Sequence, residues 1–178
     1  MCSRIDAPSR RRVLATLAGG VALSALIGQR PARADASPVD LPAPGPRDTC
    51  PVCGMFVAKY PEWVATVLFA DGHADHFDGA KDFFKYLADV AKYAPGRSAD
   101  QIVAMGVTDY YGVELVDAQS ALYAAGSDVL GPMGHELVPL KTEADAADFI
   151  KDHAGKRLLH FAEVDAALLQ ALDAGQIE

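Results

Sequence analysis

After residue 49 the order strand–strand–helix–strand is legible twice, and no other feature narrows the fold as much. In the first round, 62–70 is rich in Val, Trp, Phe and Thr and reads as a strand. Asp71-Gly72 is a hairpin turn signal, and 73–77 returns as a second strand. Asp78 is placed to cap a helix over 79–93, with Phe83, Phe84, Leu87 and Val90 on one side and Pro95-Gly96 beyond its end. A strand over 102–110 closes the round. The second round opens at 112–116 and continues with a short strand over 120–124. A loop over 126–134 follows, with three glycines and one proline, then a strand over 135–140. Thr142 caps a helix reaching about 153, with Ala146, Phe149 and Ile150 facing inward and Glu143 and Asp145 in its first turn. Gly155 ends it, 157–161 reads as a strand, and 162–175 as a C-terminal helix with Leu168, Leu169 and Leu172. The expected class is α+β: two tandem ββαβ units, 49–111 and 112–178, packed into one compact body.

Ahead of these units lie two segments of different character. Ser9-Arg10-Arg11-Arg12 precedes an apolar run over 13–28, and Ala32-Arg33-Ala34 has the small-x-small form of a signal-peptidase site. The run is short for a membrane span, which needs roughly 20 apolar residues. Paired arginines before a mildly apolar core resemble a twin-arginine (Tat) export signal, with Sec export as the plainer reading. Residues 1–34 are therefore expected to be a signal, leaving a soluble periplasmic protein without an integral membrane span. Cys2 precedes the apolar run, where it is misplaced for a lipoprotein anchor, and is expected to leave with the signal. Residues 35–48 hold four prolines and no helical period, and read as a flexible, extended leader. Residues 1–34 carry a net charge of +5, so the remainder carries −13 of the chain's total of −8. So acidic a body argues against nucleic acid, whose phosphates need a basic patch.

Chemistry concentrates in two stretches. Cys50-Pro51-Val52-Cys53-Gly54-Met55 packs two thiols and a thioether into six residues. Soft sulfur donors select Cu(I), zinc or iron–sulfur over hard cations. A structural zinc site usually wants two such pairs, and the chain beyond the signal has one. A thioredoxin-like pair sits between a strand and a helix, whereas this pair follows a proline-rich leader. Metal binding, thiol–disulfide exchange and a structural disulfide all stay open on these residues alone. The second stretch is Gly131-Pro132-Met133-Gly134-His135-Glu136. A thioether and an imidazole are separated by one glycine, and flanking glycines let a ligand come close to the backbone. Met133 and His135 taken singly would be a gap-filling methionine and a surface histidine; together, beside a chain that also has the cysteine stretch, they read as ligands. Glu136 is a candidate partner for the other ring nitrogen of His135. His73 and His76 fall on opposite faces of a strand and make a poor ligand pair. Asp71, Asp75, Asp78 and Asp82 form an acidic run that reads first as a solvated face. No nucleophile–base constellation, phosphate-cradling glycine loop or His-Glu-x-x-His is present, so no enzymatic reaction is expected.

Both stretches, with Phe56-Val57-Ala58-Lys59-Tyr60-Pro61 after the first and Leu137 after the second, closely resemble the NosL family, the accessory proteins of nitrous oxide reductase. The resemblance covers roughly residues 48–161. It implies a periplasmic metallochaperone that holds Cu(I) and supplies it to apo nitrous oxide reductase, aided by a membrane ABC-type complex, and a fold of two ββαβ units. Carried onto this sequence, the implied ligands are Cys53, Met133 and His135, with Met55 and Cys50 as additional or alternate donors. Many members are lipoproteins with a cysteine at the cleavage site; this chain has alanine there, so a soluble form is expected. The competing function is a periplasmic thiol–disulfide protein that uses Cys50 and Cys53 to keep copper-site thiols reduced.

Overall fold

The computed structural model describes residues 35–177; the stretch 1–34, read above as an export signal, lies outside them. β1 (Ala65–Phe69) and β2 (Ala74–Phe77) form an antiparallel hairpin, Ala65 opposite Phe77 and Leu68 opposite Ala74. Its turn is the Asp-Gly pair: Gly72 has φ +85°, which a side chain would resist, and Asp71 accepts from the His73 N–H at 3.0 Å. α1 (Ala80–Ala88) and a short α2 (Val90–Tyr93) lead to β3 (Ile102–Thr108), which pairs with the other edge of β1. β4 (Leu115–Asp117) adds to β3, giving the order β2-β1-β3-β4.

The second round repeats this plan. β5 (Leu122–Ala125) is central; a small hairpin of β6 (Leu130–Gly131) and β7 (Gly134–His135) intervenes; β8 (Val138–Leu140), α3 (Glu143–Asp152) and β9 (Arg157–His160) follow. The order β8-β5-β9 matches β2-β1-β3, with the first strand of each round central and its second and third flanking it. The α+β class and its two ββαβ units are therefore present as expected. α4 (Ala166–Asp173) closes the chain, capped by Asp165, which accepts from the Leu168 N–H at 2.8 Å. Among the described residues no helix is long and apolar enough to cross a membrane.

Four local readings differ. The stretch expected to open the second unit contributes β4 to the first sheet instead, because strand propensity does not name a pairing partner. The helix expected over 79–93 breaks at Asp89 (φ −151°, ψ 67°), whose side chain accepts from the Lys92 N–H and restarts the helix as α2. The expected strand over 135–140 is interrupted at Glu136 and Leu137, between β7 and β8. Asp78 does not cap α1: its N-cap is Gly79, without a side-chain cap, and the Asp78 carboxylate points elsewhere.

The leader is extended, as its prolines dictate, and it is bonded along its length. Ser37 accepts from the Asp117 N–H, Val39 donates to Leu115 and Ala36 donates to Lys141, so the segment covers the free edge of β4. Leu41, Pro42 and Pro44 continue over Val64, Thr66 and Leu115, where they line a cavity of about 370 Å³.

α1 is the hub of the core. Ala80, Phe83, Phe84 and Leu87 recur at the spacing of one helix face. Phe83 packs edge-on to Phe77 of β2, while Phe84 meets Tyr123 of β5 and Phe161 beyond β9. One helix thus joins both sheets through aromatic contacts. Truncating either buried ring would cost about 3–5 kcal/mol. β5 alternates by the two-residue period of a strand: Tyr123 and Ala125 enter this shared core, and Leu122 and Ala124 pack with Ala146 and Phe149 of α3.

Candidate metal centre

The cysteine stretch is a closed loop. The Cys50 N–H donates to Met55 O and the Gly54 N–H donates back to Cys50 O, both at 2.8 Å, with Thr49 and Phe56 bridged outside them. Gly54 has φ +80°, the conformation that lets so short a loop reverse. Both thiols are free, Cys50 fully buried and Cys53 partly exposed. They face the start of α1. Cys53 Sγ donates to Asp78 Oδ1 at 3.1 Å and Cys50 Sγ to Asp82 Oδ2 at 3.6 Å. Cys50, Cys53, Asp78 and Asp82 each offer one donor atom, all within 4.8 Å of one another.

The electrostatics of this group are unusual. Asp78 is 1 % exposed and its Oδ2 has no hydrogen-bond partner. Asp82, 3 % exposed, has Lys85 Nζ at 3.3 Å as its nearest cation. Burial pushes the Cys50 thiol up to about 12, opposed by loop N–H groups and reinforced by the charges of Asp82 and Asp78. Cys53 is driven well above the usual thiol range, first by burial and then by its bond to Asp78 and the nearness of Cys50. Four acidic groups are crowded here with one buried oxygen unpaired, an arrangement that a cation relieves and that metal-free folding must pay for.

The second stretch forms the tip of the small hairpin. Leu130 pairs with His135 and Gly131 with Gly134, so Pro132 and Met133 make a two-residue turn, with Gly134 at φ +83°. Met133 is 46 % exposed and His135 is exposed. The His135 ring lies against the end of α4: a Cβ on Gly175 would come within 3.2 Å of its Cδ2 and 3.3 Å of its Nε2. Glu136, directly after, is buried. Its Oε1 accepts from the Leu137 N–H at 2.9 Å and from the Lys81 N–H, so it caps α1 from 55 residues away. Burial pushes its carboxyl up to about 8, against the pull of those N–H groups and of Lys81. A Cβ on Gly79 would overlap Glu136 Oε2, which explains glycine at the N-cap by space rather than by backbone angle. Lys81 answers in the other direction: its Nζ donates to Met133 O at 3.2 Å and His135 O at 2.8 Å.

Each expected donor therefore has a definite place. Cys50 and Cys53 meet Asp78 and Asp82, and Met55 closes the same loop. Met133 and His135 stand on a separate hairpin held to α1 by Lys81; His135 is outside the four-donor group. Glu136 bonds to the start of α1 and to its own neighbour. Sequence reasoning missed Asp78, Asp82 and Lys81. The available signal was the spacing of four between the aspartates, one turn apart at a helix start, which puts both on one side. His73 and His76 match their sequence reading as a poor ligand pair: His76 is buried against Thr66 at 3.0 Å and His73 is exposed beside Asp75.

The chain is similar to known proteins in sequence and in fold. The NosL family model matches residues 42–169. The copper-binding lipoprotein NosL of Stutzerimonas stutzeri is 32 % identical over 138 residues, covering 69 % of this chain and 65 % of that protein. The chain thus spans just under two thirds of that relative's length. The crystal structure of the copper chaperone NosL from Shewanella denitrificans superposes with a TM-score of 0.61 at 23 % identity, over 74 % of this chain and 99 % of that one; at this identity the likeness speaks for the fold.

Proposed function

The chain belongs to the NosL family, and from that premise we propose that it is a periplasmic Cu(I) carrier that supplies apo nitrous oxide reductase, working with a membrane ABC-type complex. Copper is its cargo, and no reaction is required of it. Cys53, Met133 and His135 are the principal donors, with Cys50 and Met55 adding sulfur. Tat-type export and a soluble, unanchored form complete the reading.

One observation supports it above the rest. Two free thiols are packed against two buried carboxylates, one oxygen of which has no partner. A thiol–disulfide catalyst needs the opposite, a thiolate stabilised near neutral pH. Here burial and neighbouring acids hold both protons on. A soft cation displaces those protons and supplies the missing positive charge. On this reading Met133 and His135, both exposed, give the ion a face open to an acceptor, and transfer proceeds by ligand exchange.

The test is Cu(I) titration under reducing conditions against a competing chelator. We expect about one ion per chain, as a single cluster of soft donors provides. The double variant Met133→Ala, His135→Ala should bind more weakly and still fold; unchanged affinity would sink the shared site. Transfer to the apo reductase, and its loss in that variant, tests delivery.

A further inference from the structure

The geometry points to Lys81 and Glu136 as positioning residues that hold Met133 and His135 at the working distance from the cysteines, an inference that rests on the shared copper site proposed above. The β6–β7 hairpin has two residues in each strand. A hairpin this small is not stable by itself and must be clamped from outside. Lys81 is 2 % exposed, and a buried ammonium is tolerated only when its donors are satisfied. It has three N–H groups and three partners: Met133 O, His135 O and Asp173 Oδ1 at 3.3 Å. Two of the three therefore fix the carbonyls on either side of Gly134, the flexible link between the two donor residues.

The grip is reciprocal. The Lys81 side chain holds the backbone of the hairpin, and the Glu136 side chain, just past the hairpin, holds the Lys81 backbone. Lys81 lies between Asp78 and Asp82, the residues that meet the thiols. The start of α1 and the residue before its cap therefore carry both contacts, one toward sulfur and one toward the Met–His tip. Neither Lys81 nor Glu136 need touch the metal; they set where its ligands stand.

The experiment uses the full exported chain loaded with Cu(I), comparing Lys81→Met, which keeps the buried stem, with wild type. Copper affinity should fall about 10–100-fold, the usual cost of losing a group that orients ligands. Copper X-ray absorption should lose the Met133 sulfur and His135 nitrogen contributions while keeping cysteine sulfur, a signature that general unfolding does not give. In metal-free protein the amides of β6 and β7 should exchange at least about tenfold faster while those of β1 and β3 hold. If Lys81→Met fails to fold, Glu136→Ala against Glu136→Gln asks the same question, because glutamine keeps the capping oxygen and should rescue both affinity and spectrum. A wild type whose copper lacks the methionine and histidine contributions overturns the shared site. A wild type that has them, with variants that keep them, overturns the clasp alone.

Discussion

α1 and α3 occupy the same place in two units of the same topology, yet their first turns are built differently. α3 is self-sufficient: Thr142 accepts from the Asp145 N–H at 3.0 Å, and Glu143 and Asp145 sit where the helix dipole favours them. α1 has glycine at its cap, and its carboxylates face sulfur instead of backbone. The cap comes from Glu136 of the other unit. Where a helix gives up its own cap and buries two acids with one oxygen unpaired, local stability has been given up, as a candidate site requires. The unit that kept its cap carries the exposed Met133 and His135 on an inserted hairpin, and the long glycine loop in place of a tight turn is the visible cost.

That contrast can be broken in graded ways. The largest effect should follow Cys53→Ala, which removes a donor from the α1 side: chelator competition should show more than about 100-fold weaker copper binding, beyond what orienting groups cost. Next comes Asp78→Ala. Melting in the presence of chelator should show the metal-free protein about 1 kcal/mol more stable, since an unpaired buried oxygen is gone, while copper affinity drops about tenfold. A less stable variant would mean that Asp78 supports the fold rather than the ion. Gly79→Ala should cost about 2 kcal/mol in chemical denaturation, because the new methyl drives Glu136 off the cap. Its counterpart in the other unit, Thr142→Ala, should cost about 1 kcal/mol and leave copper binding intact; equal effects on copper would erase the distinction between the two helices. The smallest change is expected at the first hairpin turn. The His73 N–H, and then Arg97, hold the Asp71 carboxyl below its ordinary range. The ionised form is thus favoured in the folded state, so its contribution is present above the ordinary carboxylate pKa and is lost as pH falls through the lower folded value. Melts from pH 5 to 2 should show wild type and Asp71→Asn converging toward the acid end.

Much of this was legible in the chain, and the gaps share a cause. Periodicity placed β1, β2, β3, α3 and β9 because each is specified by its own residues and turn chemistry. The soft donors stood out because cysteine, methionine and histidine are rare and were grouped. What could not be read is what depends on distant partners. Asp78 looked like a cap because a helix start normally uses its nearest acid; it is freed from that duty by Glu136. Asp78 and Asp82 looked solvated because burial of acids is decided by what packs over them, here the cysteine loop. Nothing near it in the sequence marks Lys81, and its burial follows from a hairpin 52 residues further on. Asp89 broke a helix that its flanking apolar spacing would have continued.

The span of the Lys81 and Glu136 contacts also dictates when the site can exist. They join residues 52, 54 and 55 positions apart. Contacts of such separation form late, after loop closure has been overcome. The cysteines enter the growing chain long before the hairpin does, and until residue 136 has been made and docked they have neither a capped helix beside them nor the Met133–His135 hairpin clamped to that helix. On the shared site proposed above, assembly of the donor set doubles as a checkpoint: a truncated or half-folded copy would offer copper two thiols without Met133 and His135.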